Sequence, residues 1–303
     1  MTTQPPSSSD KTSSSASSTA SPSTRKRDID MHELKSHVLP WYLDFLASLR
    51  LLTRLPLAED NEAIKDDKAI QKRLQRATRS FPFTGIVVGG IGAATLIGSA
   101  YVALPYGVAC VLALTLMIIA TGALHEDGLC DVADSLGGTT PEERHAIMKD
   151  SRIGTYGTLA LMLALLAKFA ALYEVGNSAY AAQMLIASAC ASRAAMVALP
   201  CFLAPIPIES THPRQSLSQQ LGQLSPAQLI VPTTLAALLV LLFLARLDTA
   251  LTVLATSAVL TFLMIRFATK TYRGYNGDLC GACQQINEVG VLIITSTLFH
   301  SLS

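Results

Sequence analysis

The chain has 303 residues, 50% hydrophobic and only 15% charged, with a mean hydropathy of +0.40. Soluble domains carry roughly 25% charged residues, so this composition is that of an all-α, polytopic membrane protein rather than a soluble one. A formal net charge of +1 leaves no basic footprint for a nucleic-acid partner.

Residues 1–30 are rich in Ser, Thr and Pro and lack the apolar core of a signal peptide. They are expected to be a disordered tail, because such a segment buries too little surface to offset its chain entropy. Residues 31–303 then form one integral membrane domain, with 31–80 as an amphipathic, cytoplasmic lead-in. Between 34 and 56, Leu39, Trp41, Leu43, Phe45, Leu46, Leu49, Leu52 and Leu55 alternate with Asp44, Arg50 and Arg54. Two readings fit: a helix in the membrane interface with Trp41 and Tyr42 at headgroup level, or a helix covering the protein core. Residues 59–79 are polar and read as loop or helix.

About 20 apolar residues span a bilayer. Six or seven stretches meet that need, at about 83–104, 107–124, 156–174, 181–204, 227–245 and 249–267, with a short one at 289–300. In the first, the pair Gly85 and Gly89 and the pair Gly98 and Val102 suggest close backbone packing on a neighbour. Lys168 and Arg193 fall inside spans, where a charge needs a partner or water. Snorkelling to an interface is the alternative for Lys168. Loop charges set the orientation. Arg144, Lys149 and Arg152, then Arg214, then Lys270 and Arg273 lie on one side, and only Arg246 on the other. The N-terminus and the loops 125–155, 205–226 and 268–288 are therefore expected in the cytoplasm, and the protein in the cell inner membrane.

Three polar segments converge on that side. In His125-Glu126-Asp127-Gly128-Leu129-Cys130-Asp131-Val132-Ala133-Asp134, the aspartates 127, 131 and 134 stand at i, i+4 and i+7. On a helix that spacing stacks three carboxylates on one face, which repel unless a cation neutralises them. A divalent metal that also binds phosphates fits, and a solvated helix face is the bland alternative. The second segment runs from Met148 to Gly157. Lys149, Asp150, Ser151 and Arg152 precede Gly154 and Gly157, a pattern suited to holding phosphate oxygens or simply to starting a helix. The third runs from Gly274 to Ala282, followed by Gln285, Asn287 and Glu288. Asp278 and Glu288 could complete a metal site or take a proton, and Asn276-Gly277-Asp278 is also a good turn. His125 is a candidate metal or phosphate contact, or an ordinary interfacial histidine. Glu209, His212 and Arg214 read as solvated. Cys110, Cys190 and Cys201 lie in apolar segments, and Cys280-x-x-Cys283 lacks the second ligand pair that zinc requires.

With these segments in view the chain closely resembles the cobalamin synthase family, the adenosylcobinamide-GDP ribazoletransferases. The resemblance rests on Leu51-Leu52-Thr53-Arg54-Leu55-Pro56, Phe81-Pro82-Phe83-Thr84-Gly85, Gly122 through Asp134, Met148 through Gly154, Ser192-Arg193, and Gly277 through Ala282 with Glu288 after it. It covers about 40–300. Ala123, Cys130, Ser135 and Tyr275 depart from the usual Gly, Ala, Gly and Gln, and the three aspartates are intact. The resemblance implies a Mg²⁺-dependent transfer from adenosylcobinamide-GDP to α-ribazole or its 5'-phosphate, giving adenosylcobalamin or its 5'-phosphate and GMP. It also implies a membrane-lipid setting and a place among the other nucleotide-loop enzymes. The expected roles are Mg²⁺ on Asp127, Asp131 and Asp134; catalysis by Asp131 and Asp278; and phosphate or substrate binding by His125, Lys149, Asp150, Ser151, Arg152 and Arg193. Two other readings are weighed. A CDP-alcohol phosphotransferase would need an Arg close behind Asp127-Gly128, where Leu129-Cys130-Asp131-Val132 stands. A cation or solute transporter would carry its acids near mid-bilayer.

Overall fold

The structure, a computed structural model, describes residues 31–57, 66–207 and 216–302. The tail 1–30 and Glu209, His212 and Arg214 lie outside the described residues. All regular elements among them are helical. In chain order they are α1 (Met31–Leu52), α2 (Asp67–Ala77), α3 (Phe81–Tyr101), α4 (Tyr106–Thr121), α5 (Leu124–Ser135), α6 (Pro141–Met148) and α7 (Thr155–Val175). There follow α8 (Ser178–Met196), α9 (Ala198–Phe202), α10 (Leu217–Leu221), α11 (Ile230–Leu244), α12 (Leu247–Tyr272) and α13 (Gly277–Leu302). Leu39–Ser303 forms one compact unit.

Among the described residues five helical stretches are long and apolar enough to cross a membrane: Asp67–Tyr101, Thr155–Val175, Ser178–Phe202, Pro226–Leu244 and Leu247–Tyr272. A sixth forms only if α4 and α5 are taken together, and they meet at 88°. The expected stretch 107–124 is thus a broken element. Gly122 (φ 63°) and Ala123 (φ 57°) are both left-handed, and the Ala123 N–H returns to the Ile118 carbonyl at 3.0 Å. That closure ends α4 and turns the chain into α5. A non-glycine residue in this conformation is strained by about 1–2 kcal/mol. The short stretch expected at 289–300 is the second half of α13, a 26-residue helix whose first half is polar and buried.

The bundle is organised around α8. Its alanines from Ala181 onward and Ser188 and Ser192 are buried, and small side chains let neighbouring backbones approach. A Cβ on Gly85 of α3 would lie 2.5 Å from the Ala189 carbonyl oxygen, and one on Gly89 2.7 Å from the Ile186 Cα. The first expected glycine contact is therefore real. The second is not: Gly98 has nothing within 4 Å of such a Cβ, and Val102 is 70% exposed. The helix has left its neighbour by that turn.

At the polar end α1 joins α2 and the turn that precedes α3 through a buried Asp44. It pairs with Arg76 at 3.3 Å and closely with Arg79, whose guanidinium stacks 3.8 Å over the Trp41 ring. Leu49 and Leu52 are buried, while Tyr42 and Leu43 remain exposed. One face of α1 thus covers the core, and the other carries Trp41, Tyr42 and Leu43 outward. Chain 204–206 is laced to 275, with Ile206 N–H on the Tyr275 carbonyl and Tyr275 N–H on the Ala204 carbonyl, both at 2.9 Å.

Gly85→Ala and Gly98→Ala separate the two glycine environments. Overpacking at Gly85 is expected to lower stability by about 1–3 kcal/mol. Gly98→Ala is expected to be neutral or stabilising by about 0.5–1 kcal/mol. Denaturation of each variant in detergent checks both.

Candidate active site

Asp127, Asp131 and Asp134 occupy one continuous helix, α5, so the sequence spacing does place them along one face. What brings chemistry to that face is how α5 crosses α13. A Cβ on Gly128 would lie 2.8 Å from the Asp278 carbonyl oxygen and 3.1 Å from its Cα. On the other side of the crossing, a Cβ on Gly281 would lie 3.3 Å from the His125 Cα. The two backbones touch because neither helix has a side chain there. Asp278, in the first turn of α13, is thereby carried to Asp127 and Asp131. Asn276 steers it: its Nδ2 donates to the Asp278 Oδ2 at 2.8 Å, while its Oδ1 accepts the Leu279 N–H at 2.9 Å.

The electrostatics of this face are one-sided. Asp131 is partly withdrawn from water and feels the negative charges of Asp278, Asp127 and Asp134. Among the described residues no basic side chain pairs with Asp127, Asp131 or Asp278, and no three His, Cys, Asp or Glu side chains stand close enough to hold one metal ion unaided. The donor set is all oxygen, which suits a hard divalent cation. Mg²⁺ in phosphate chemistry is usually held by one or two carboxylates completed by substrate phosphates and water, and an open, uncompensated acid face fits that mode.

Asp134 has a different environment. Its two oxygens accept the Gly154 N–H at 2.7 Å and the Gly157 N–H at 2.8 Å, at the start of α7. A Cβ at either glycine would collide with this carboxylate. Asp134 therefore caps α7 and clips the second polar segment to α5. On that segment Lys149, Ser151 and Arg152 are exposed. Arg152 Nε donates to both Asp150 oxygens at 3.0 Å, and these bonds hold the Asp150 carboxyl down to about 2. Asp150 thus stays charged and orients the guanidinium.

His125 and Arg193 are placed elsewhere, deep in the bundle. Lys168 Nζ lies 2.8 Å from Glu288 Oε1 and 4.0 Å from Glu126 Oε1, and Arg193 Nη1 lies 3.8 Å from Glu288 Oε2. Gln285 donates to Glu126 at 2.9 Å, and Gln284 donates to Ser192 at 3.1 Å and closely to Glu288. Two acids and two bases balance in a buried site, so Lys168 does not snorkel. Glu288 belongs to this network and not to the Asp278 cluster. Glu126 and Gln284 carry roles that sequence reasoning missed. The available signal was rotational: Glu126 lies 100° around the helix from Asp127, off the aspartate face.

Removing one member of the Lys168–Glu288 pair strands a buried charge. Lys168→Met is expected to destabilise by about 3–5 kcal/mol, and Lys168→Met with Glu288→Gln to recover part of that loss. Denaturation of the single and double variants in detergent measures it.

The sequence profile of the family described as cobalamin-5-phosphate synthase matches residues 44–296. A protein of Xanthobacter autotrophicus is 39% identical over 265 residues, covering 82% of this chain and 96% of its own length. One of Shewanella amazonensis is 36% identical over 261 residues, covering 84% and 95%, and one of Vibrio parahaemolyticus 31% identical over 259 residues, covering 85% and 93%. All three are named adenosylcobinamide-GDP ribazoletransferase. No solved structure matches the chain. With the profile spanning the acid face, the clipped loop and the start of α13 alike, the chain belongs to the cobalamin-5-phosphate synthase family.

Proposed function

We propose that the protein transfers the cobinamide phosphate of adenosylcobinamide-GDP to a ribose hydroxyl of α-ribazole or its 5'-phosphate. The new bond joins the acceptor oxygen to the phosphorus on the cobinamide side. The diphosphate bridge breaks, GMP leaves with the electron pair, and the acceptor loses its hydroxyl proton. The products are adenosylcobalamin, or its 5'-phosphate, and GMP. The observation that carries this reading is the carboxylate face of Asp127, Asp131 and Asp278, which has no cationic partner among the described residues and is built by a glycine crossing in a chain of this family.

The residues divide the work. Asp127 and Asp131 would hold Mg²⁺, which when bound neutralises charge on the diphosphate. Asp278, with one oxygen engaged by Asn276, accepts the hydroxyl proton. Lys149, Ser151 and Arg152 grip phosphate oxygens, with Arg152 aimed by Asp150. Asp134 contributes by fixing that loop against α5, and stands at the edge of the metal site. His125 supports the inner wall, and Arg193 acts through the buried network. The reaction faces the cytoplasm of an inner membrane in this reading, supported by the Lys and Arg bias of the loops. An aspartate cluster at a helix crossing on the polar end also favours catalysis over transport.

Asp131→Ala and Asp134→Ala test the division. Asp131→Ala is expected to melt like the parent or later, because like charges are relieved, yet to release GMP at least ~100-fold more slowly at saturating Mg²⁺. Asp134→Ala is expected to lose about 1–3 kcal/mol of stability through two unpaired N–H groups. GMP release from adenosylcobinamide-GDP and α-ribazole, alongside melting, reads both. Near-normal turnover in Asp131→Ala would contradict the assignment.

A further inference from the structure

A chamber of about 280 Å³ lies beside the acid face, between α1, α2, α10 and the α5–α13 crossing. Leu51, Leu52, Leu74, Phe81, Val197 and Leu221 give it apolar walls, and Asp127 and Asp278 line it as well. Helix α10 is fastened in place from two sides. The Tyr275 hydroxyl donates to the Gly222 carbonyl at 2.6 Å and the Ser218 carbonyl at 3.2 Å, and Gln75 Nε2 donates to the Leu221 carbonyl at 2.9 Å. His125 also lines the chamber. An apolar cavity that ends on reactive carboxylates has the make-up of a small-molecule subsite.

We infer that this chamber binds the flat aromatic base of the acceptor nucleoside, with the sugar at the Asp278 end. The inference rests on the transfer proposed above and adds where the acceptor sits. The reactants leave one choice of occupant. A corrin macrocycle is far too large for this volume. Guanosine with its phosphates is too polar, since burying charged or unmatched polar groups among leucines is unfavourable. Dimethylbenzimidazole is bicyclic, uncharged and bears two methyl groups, which match the leucine and phenylalanine walls. With the base so held, a ribose hydroxyl falls at the carboxylate that takes its proton. Leu74 and Leu221 thus set acceptor specificity from the side away from the reacting atoms.

The test is steady-state kinetics on the full-length protein in nanodiscs, varying each substrate in turn. Burial of a methyl group is worth roughly fourfold in affinity, so in the parent protein the riboside of unsubstituted benzimidazole is expected to show a KM roughly fifteenfold above that of α-ribazole. Leu221→Trp and Leu74→Trp fill the chamber from different helices. Each is expected to raise the α-ribazole KM at least tenfold and leave the adenosylcobinamide-GDP KM within twofold. An unchanged acceptor KM in both folded variants, a raised donor KM, or co-purifying lipid lost from both variants without a change in acceptor KM would overturn the inference. If neither variant folds, a parent protein indifferent to the two methyl groups overturns it alone. A parent protein that releases no GMP from either acceptor would instead refute the transfer itself.

Discussion

The contact of two bare backbones, α5 against α13 at Gly128 and Gly281, is the constraint on which the site depends. Helices normally pack at 8–10 Å because side chains hold them apart. With no Cβ on Gly128, the Asp278 main chain comes within van der Waals reach of α5. A carboxylate from the first turn of one helix then meets two from the other. The acids come from segments about 150 positions apart in the chain, so neither helix alone carries the site.

Behind this crossing lies the second determinant, the neutral quartet of Glu126, Glu288, Lys168 and Arg193. It joins α5, α7, α8 and α13 through buried ion pairs, of which Lys168–Glu288 is also a hydrogen bond. Buried ion pairs are weak contributors to net stability, but they are specific about geometry. Here the quartet fixes the rotation of α5, because Glu126 must face inward. Asp127 and Asp131 then turn toward Asp278. Asp134 completes the frame from the far end of α5 by capping α7 and holding the Lys149–Arg152 loop alongside. One short helix is anchored at its start by buried charge, in its middle by glycine, and at its end by a cap. The acid face between these anchors is left without counter-charge.

Much of this was legible in the sequence, and the misses have identifiable physical causes. The membrane class followed from composition. The i, i+4, i+7 spacing correctly put the three aspartates on one helix face, since helical periodicity is local information. The Gly85–Gly89 contact was visible for the same reason. Gly98 with Val102 looked similar but meets no neighbour, because only the crossing angle decides where two helices part. The break at Gly122-Ala123 escaped notice because an alanine seldom adopts the left-handed conformation it holds there. Asp134's cap on α7 and the capture of Arg193 and Glu288 in the buried quartet are long-range pairings, which residue spacing does not encode. Lys168 was visible as a buried charge, but its partner was not. Glu126 was hidden by standing beside more conspicuous acids.

The most direct test of the central claim is Mn²⁺ binding in the presence of adenosylcobinamide-GDP, followed by electron paramagnetic resonance in the parent protein and in Gly128→Ala. A methyl group at 128 would sit 2.8 Å from the Asp278 carbonyl oxygen and must push α5 and α13 apart. The account predicts that folded Gly128→Ala still binds the ion through Asp127 and Asp131, which share α5, but loses GMP release to the level of Asp278→Ala. Wild-type turnover in Gly128→Ala would show that the site does not depend on the contact between these two helices.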